Sequence, residues 1–544
     1  MSKKLLSLLL CLVAIFTLCF AGCGEEEEDP TNQEASARKA VSLSVMLISE
    51  KEVSKETEAL VEEAFNELTQ SKFTTKVDFV FLSEDEYFDV LDKKLADAAE
   101  YKEMAGLDDI ALPGLTPEET EEVEETTAET IVNELGQRLL KYPDIDPYQV
   151  DVIFLAGKDR LVKYANEGMI KSLDTNLKST SKVLMDYIYP SFLENVVHEK
   201  NTYAIPNNHL IGEYTYLLVN KELAAKYYID TTKIKSFADC EDLIYDIGKN
   251  EKGIAAVLEY AEPVNMHYWL GGDDMAILAS KIPENATAGT KTEMKSVFDI
   301  PAFTDHMLLM QTCKDNGWFA ADPANADKFG VAIMNGGYEL RNEYSDEYEV
   351  IVLNYPTLSD EDVFSSMFAV SSYTANFDRS MEIITFINTD PVAKNILQYG
   401  VEGVHYEFDD EGNFVSLSDD YCMNNNYTGN AFLSYVTEDM PANIWEDAKA
   451  ANRESVISPY IGLSEDWGAV EKSGFISALR KISDPYIERM NECRNAKELA
   501  AFFETAKEEL AVNEIFKATF STDEDSSSPN AVYTRWYNRV YPSK

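Results

Sequence analysis

The chain has 544 residues, 45% of them hydrophobic, and a formal net charge of −50. That length is too great for one hydrophobic core and calls for two or more lobes. An acidic excess of this size excludes nucleic acid and anionic membrane surfaces as electrostatic partners. Solubility in a crowded wall or lumen is its plain reading, a cationic ligand the sharper one.

Residues 1–22 read as a targeting segment and are set aside from the fold. Lys3 and Lys4 are its only charges, and Leu5 to Phe20 is apolar. That run is short for a membrane span of roughly 20 residues. Phe20-Ala21-Gly22-Cys23 resembles the lipobox of bacterial lipoproteins, where cleavage precedes a Cys that receives lipid; Phe20 stands where Leu is usual. A plain signal peptide or an uncleaved anchor helix is the alternative. Residues 23–40, with Glu25 to Asp29 near their start, read as a disordered acidic tether. No later segment is long and apolar enough to cross a membrane. Beyond Cys23 the cysteines are Cys240, Cys313, Cys422 and Cys493, widely spaced and without C-x-x-C. They read as buried or idle thiols, with neither a disulfide framework nor metal spacing.

The body opens with a strand over 41–47, a helix over 54–70 with Leu60, Val61, Ala64, Phe65 and Leu68 on one stripe, a strand over 77–82 and a helix over 84–99. This β-α-β-α rhythm predicts a parallel sheet with helices on its faces. It breaks over 104–148, where Pro113, Pro117, Pro143 and Pro147 flank an acidic run. This stretch reads as a surface insertion, with a helix from Pro117 to about Leu140.

Asp151 to Leu177 is the stretch around which the rest is arranged. Val152 to Leu155 is a short apolar run, hence a strand buried on both faces. Leu161, Tyr164 and Ala165 then mark a helix, and Gly168 ends it. Lys158, Asp159 and Arg160 fall in the strand-to-helix turn, where ligands dock in open α/β sheets. An ordinary solvated loop is the alternative. Further on, Tyr203-Ala204-Ile205-Pro206 is an extended piece, Leu210 to Asn220 a strand, and Glu222 begins a helix. Glu498, Leu499, Phe502, Phe503, Ala506 and Leu510 form a late helical stripe.

At this point the chain resembles the extracellular solute-binding lipoproteins of ABC importers, in particular the oligosaccharide-binding group of Gram-positive type. The matching features follow one another along nearly the whole mature chain. They are the lipobox-like amino terminus, Val152 to Phe154 with Tyr164 and Gly168-Met169-Ile170, Tyr203 to Pro206, and Leu218-Val219-Asn220-Lys221. Later come Lys328 to Tyr338, Asn388-Thr389-Asp390-Pro391, Gln398-Tyr399-Gly400, Gly403 to Tyr406, Tyr427 to Asn430, and Ser458-Pro459. No single motif is specific; their order is. The acidic insertion is the main departure.

The resemblance implies an α/β, two-lobed periplasmic-binding-protein-like fold of type II, with mixed parallel sheets flanked by helices and a hinge between lobes that close over ligand. It places lobe one at 41–207 plus 348–415, including the insertion at 104–148. Lobe two is placed at 210–345 plus 420–544, with the carboxyl-terminal helices. It implies lipidation at Cys23, an extracellular, membrane-anchored location, a monomer, and ABC permease subunits as partners. No cofactor and no metal are expected.

Sugar recognition uses flat aromatic rings with planar polar groups for hydroxyls. By the resemblance, Asp159 and Arg160 fall on the loop that bonds sugar hydroxyls, beside Lys158; a mutual ion pair is the alternative. Leu155 stands where some relatives carry a Trp. Tyr338 follows Asn335-Gly336-Gly337 at a cleft-facing turn, with Glu339 and Arg341 beside it. Trp269, next to Tyr268 and near Gly271-Gly272, is a candidate stacking ring. Tyr214 and Tyr216 share one face next to the hinge, and Asn426 and Tyr427 complete the set. For each, core packing is the alternative.

Catalysis finds little support: there is no H-E-x-x-H, no Gly-x-Ser-x-Gly and no phosphate-cradling Gly loop. Asp409 to Asn413 lacks the twelve-residue calcium-loop pattern and reads as a hairpin turn. The expected function is delivery of a small solute, an oligosaccharide first, to an import permease. A cell-surface glycoside hydrolase with paired carboxylates and an adhesive surface protein are the alternatives.

Overall fold

The computed structural model describes residues 38–104, 130–132, 138–269, 277–283, 285–438, 440–523 and 525–542. The targeting segment, Cys23, most of the tether, most of the acidic insertion and Gly271-Gly272 lie outside the described residues. Nine strands build the two main sheets: β1 (Val41–Ile48), β2 (Thr75–Leu82), β3 (Val152–Leu155), β4 (Ala204–Pro206), β5 (Tyr214–Asn220), β6 (Ala255–Val257), β7 (Phe329–Gly336), β8 (Tyr348–Asn354) and β9 (Met367–Val370).

The first sheet has the order β2-β1-β3-β9-β4. β1 runs parallel to β2 and β3, and β9 runs antiparallel to β3 and β4. Every residue of β1 and β3 is buried, as a sheet covered on both faces requires. The helix Lys55–Phe73 covers it, capped by the Ser54 hydroxyl, which accepts the Thr57 amide at 3.1 Å. Glu84–Met104 is the second covering helix. The second sheet, β6-β7-β5-β8, pairs β6 parallel to β7, with β5 antiparallel to both β7 and β8.

A third core stands apart from these two sheets. The strands Met266–Tyr268, Leu278–Lys281 and Lys295–Ser296 form a small antiparallel sheet. The helices Phe475–Asn491, Ala496–Val512 and Pro529–Val540 pack on it through Trp269, Phe298, Leu479, Phe503 and Trp536. Of the late helical stripe read from sequence, Leu499, Phe502, Phe503, Ala506 and Leu510 form the buried face of Ala496–Val512, while Glu498 is exposed.

Three elements differ from the sequence reading. Tyr348–Asn354, assigned there to lobe one, is an edge strand of the second sheet, because its residues pair with Leu217, Leu218 and Val219 of β5. Tyr421 and Met423, assigned to lobe two, are buried in the core of the first lobe. The expected helix to Leu140 is at its described end a hairpin, Thr130–Val132 pairing with Arg138–Leu140. Its β-branched Thr130, Ile131 and Val132 favour a pleated conformation. The turn at Asp409 to Asn413 joins the paired strands Tyr406–Phe408 and Phe414–Ser416, with the Asp409 carboxylate accepting the Glu411 and Asn413 amides.

Segments 207–213 and 355–366 join the two main sheets. A third crossing, at 455–458, runs beside the second: Thr357 pairs with Val456 and Leu358 with Ile457. The helix Ile444–Glu454 leads into it. Its buried Asn452 donates to the His209 carbonyl at 2.7 Å and accepts the Ile211 amide at 3.0 Å, tying the third crossing to the first.

Candidate functional site

β3 ends at Leu155, and Gly157 takes φ +91°, a conformation that costs a residue without Cβ little. Its amide donates to the Phe364 carbonyl at 2.7 Å, and the helix Lys158–Asn166 starts there. Consecutive helix positions diverge by about 100°, so the three charged residues of the turn separate. Asp159 faces a cavity of about 710 Å³ between the first lobe and the carboxyl-terminal module. Lys158 turns to Asp360, its Nζ 3.2 Å from Oδ2, and lies over the Phe364 ring. Arg160 donates to the Ala156 carbonyl at 2.8 Å and stacks 3.3 Å above the Phe88 ring. The alternative of an Asp159–Arg160 ion pair is therefore not what forms.

The first lobe contributes Asp159, Val162 and His198 to the cavity. The second crossing contributes Ser359, Asp360 and Glu361. The third core supplies the opposite wall: His267, Tyr268 and Trp269 from the small sheet, with Tyr460, Trp467 and Glu471 from the carboxyl-terminal region. The His267 and Tyr460 rings stack at 3.8 Å with 19° between planes. Trp269 meets Tyr460 at 5.0 Å, Trp467 at 5.3 Å and Tyr533 at 5.3 Å. Its indole Nε1 donates to Ser280 at 2.8 Å, and Tyr460 bonds Thr292 at 2.7 Å. The wall is thus held rigid from behind. Trp269 is 2% exposed, so it supports the wall and leaves almost no ring face to a ligand. Trp467 and Tyr268 are half-buried and do present ring surface.

Burial pushes the His267 imidazole down to about 4, so the ring is neutral near pH 7. Burial also raises the hydroxyls of Tyr268 and Tyr460, the latter to about 12. Asp360 is the best-satisfied carboxylate here: Oδ1 accepts the Gly462 amide at 2.8 Å and Oδ2 the Ser464 hydroxyl at 2.6 Å, besides Lys158. Among the described residues, no group of His, Cys, Asp and Glu is placed to hold a metal ion.

The remaining sequence candidates lie elsewhere. Tyr214 and Tyr216 stack at 5.3 Å, both fully buried. The Arg341 guanidinium sits 4.5 Å from the rings of Tyr214 and Tyr338 and pairs with Glu454 at 2.6 Å. Tyr214 donates to the same carboxylate at 3.0 Å, and Tyr216 to the Gly337 carbonyl at 3.0 Å. Glu339 is exposed beside this cluster. The Tyr214 and Tyr216 hydroxyls and the terminal nitrogens of Arg341 are thus engaged, while Arg341 Nε is buried without a partner, and none of the five residues lines the cavity. The Asn426 carbonyl accepts from Asn207 at 3.1 Å, and Tyr427 packs its ring 4.8 Å from Phe154. Sequence reasoning missed Trp467, Tyr460 and Asp360. Trp467 is one of only five tryptophans, a signal that was available.

No family model matches the chain. A carbohydrate ABC transporter substrate-binding protein of Streptococcus pneumoniae is 21% identical over 330 residues, covering 57% of this chain and 66% of the relative. The chain thus spans just under two thirds of that relative's length. The crystal structure of the N-glycan transport solute binding protein from S. pneumoniae superposes with a TM-score of 0.51 at 17% identity, covering 92% of this chain and all of that one. A solute-binding protein from Bifidobacterium longum infantis, described as HMO-binding and ABC-transporter-associated, gives 0.45 at 13% identity, covering 93% and 100%. The fold is that of the type II solute-binding proteins, two α/β lobes with mixed sheets. The resemblance carried by the sequence is the one the comparisons return.

Proposed function

We propose that this protein is the extracellular, lipid-anchored receptor of an ABC importer. It captures an oligosaccharide between its lobes and delivers it to the permease. The observation that carries this reading is the cavity of about 710 Å³, with half-buried Tyr268 and Trp467 on one wall and Asp159 on the other. Rings at fixed positions offer flat apolar surface to a pyranose face, and carboxylates accept its hydroxyl protons. Walls drawn from the first lobe and from the carboxyl-terminal module make occupancy sensitive to the angle between them. The relative's name, a carbohydrate transporter's substrate-binding protein, agrees with that reading. No catalytic step is assigned: Asp360, the most strongly bonded acid at the site, is held by backbone, hydroxyl and ammonium donors. Among the described residues no helix is long and apolar enough to cross a membrane, and the anchor is assigned to Cys23.

The test is titration calorimetry against a glycan panel, with small-angle scattering on the same samples. Saturable heat from a glycan, accompanied by a smaller radius of gyration, is expected. Silence toward every glycan would reject the sugar reading.

A further inference from the structure

The charges around the cavity are lopsided. Asp159, Asp360, Glu361 and Glu471 line it, and no Lys or Arg lines it among the described residues. Lys158 approaches from behind and is committed to Asp360. The carboxylates of Asp159, Glu361 and Glu471 are on exposed residues and have no ion pair or hydrogen bond to the described residues. Neither does the aromatic wall offset them, since His267 is held neutral by burial. A ligand entering this space meets three uncompensated negative charges, in a chain already at −50.

We propose that the cavity selects its glycan by charge: it admits neutral sugars and those bearing a protonated amine, and turns away glycans ending in a carboxylate or phosphate. This rests on the sugar-binding reading above. The physical cause is Coulombic. An anionic group placed among the three carboxylates is repelled by each, and low-dielectric aromatic walls reduce the screening that water gives. A carboxylate on the protein still serves a neutral sugar, because it accepts hydroxyl protons without a counter-charge. It serves an ammonium better, through a charge-assisted bond.

The experiment uses the whole protein and a panel in which each oligosaccharide backbone occurs in neutral, de-N-acetylated and carboxylate-bearing forms. The carboxylate form is expected to bind at least about tenfold more weakly than the neutral one at low salt, roughly 1.4 kcal/mol. The gap should shrink as salt is raised toward 0.5 M, since surface charges are screened over a few Å there. It should also shrink in the Glu361→Gln, Glu471→Gln double variant, whose side chains are exposed and whose replacement leaves packing intact. The amine form should bind at least as tightly as the neutral one. Equal or tighter binding of the carboxylate form, or a gap indifferent to both salt and the double variant, overturns charge selection while leaving sugar binding standing. If no member of the panel binds, the sugar reading itself falls, and charge selection with it.

Discussion

Lys158 and Asp360 are 202 positions apart in the chain, yet Nζ lies 3.2 Å from Oδ2. One belongs to the helix that follows β3, the other to the second crossing. Through Gly462 and Ser464 the same carboxylate holds the carboxyl-terminal module. Asp360 therefore fastens three parts of the molecule at the edge of the cavity. Replacing it by Asn keeps the shape but removes the ion pair and turns one accepting edge into a donor. We expect Asp360→Asn to lose about 1–3 kcal/mol and to broaden the distribution of lobe angles. Thermal unfolding and scattering of the unliganded protein check both; an unchanged melting curve with unchanged scattering would show that the fastening carries no weight.

Trp467 and Trp269 touch, at 5.3 Å between rings, but should behave differently. Trp467 is half-buried at the cavity, so Trp467→Ala should leave the fold intact and weaken glycan binding tenfold or more, about 1.4 kcal/mol. Trp269 is 2% exposed and bonded to Ser280. Trp269→Ala should instead cost about 3–5 kcal/mol of stability. Calorimetry and denaturant melts on both variants separate the roles. The assignment fails if Trp467→Ala binds like the parent.

His267 gives the site an acid sensitivity. Its folded pKa of about 4 lies below its unfolded value. Below the unfolded value of about 6.5 the unfolded chain takes up a proton that the folded chain does not. Stability should therefore decline as pH falls from about 6.5 to about 4, by up to roughly 3 kcal/mol, and this contribution levels off below that. His267→Gln should flatten the decline relative to the parent. A parallel decline in both proteins would show that the imidazole is hydrated in the fold.

Asn452 binds the first crossing with both ends of its amide. Asn452→Ala leaves the His209 carbonyl and the Ile211 amide buried without partners, at a cost of about 2–4 kcal/mol. Asn452→Asp restores an acceptor for Ile211 but no donor for His209, and adds a buried charge, so it should not rescue. Chemical denaturation of the pair against the parent decides this, and recovery in the Asp variant would contradict it.

The first lobe was largely legible in the sequence because its signals are local. Val152 to Leu155 is apolar without alternation, and it is the buried central strand; Gly157 and Gly168 mark the turn and the helix end by conformations that only their lack of Cβ makes cheap. The order of short motifs along the chain likewise carried the two-lobed fold. Within the candidate site, Asp159 of the strand-to-helix turn lines the cavity, and so do Tyr268 and Trp269. What sequence could not supply was direction. Tyr214, Tyr216, Tyr338 and Arg341 have the composition of a sugar site, but they pack together away from the cavity, with Tyr214 and Arg341 bonded to Glu454, because helix Ile444–Glu454 folds back over β5 from more than 200 residues away. Trp467 and Tyr460 reach the cavity only because the carboxyl-terminal helices share a core with the strands at 266–296. Sequence determined most of the strands and helices, though not the hairpin ending at Leu140, since those depend on neighbours a few residues apart. The tertiary structure alone decided which rings and carboxylates face one another across the cavity, since that depends on contacts made between segments that no local pattern links.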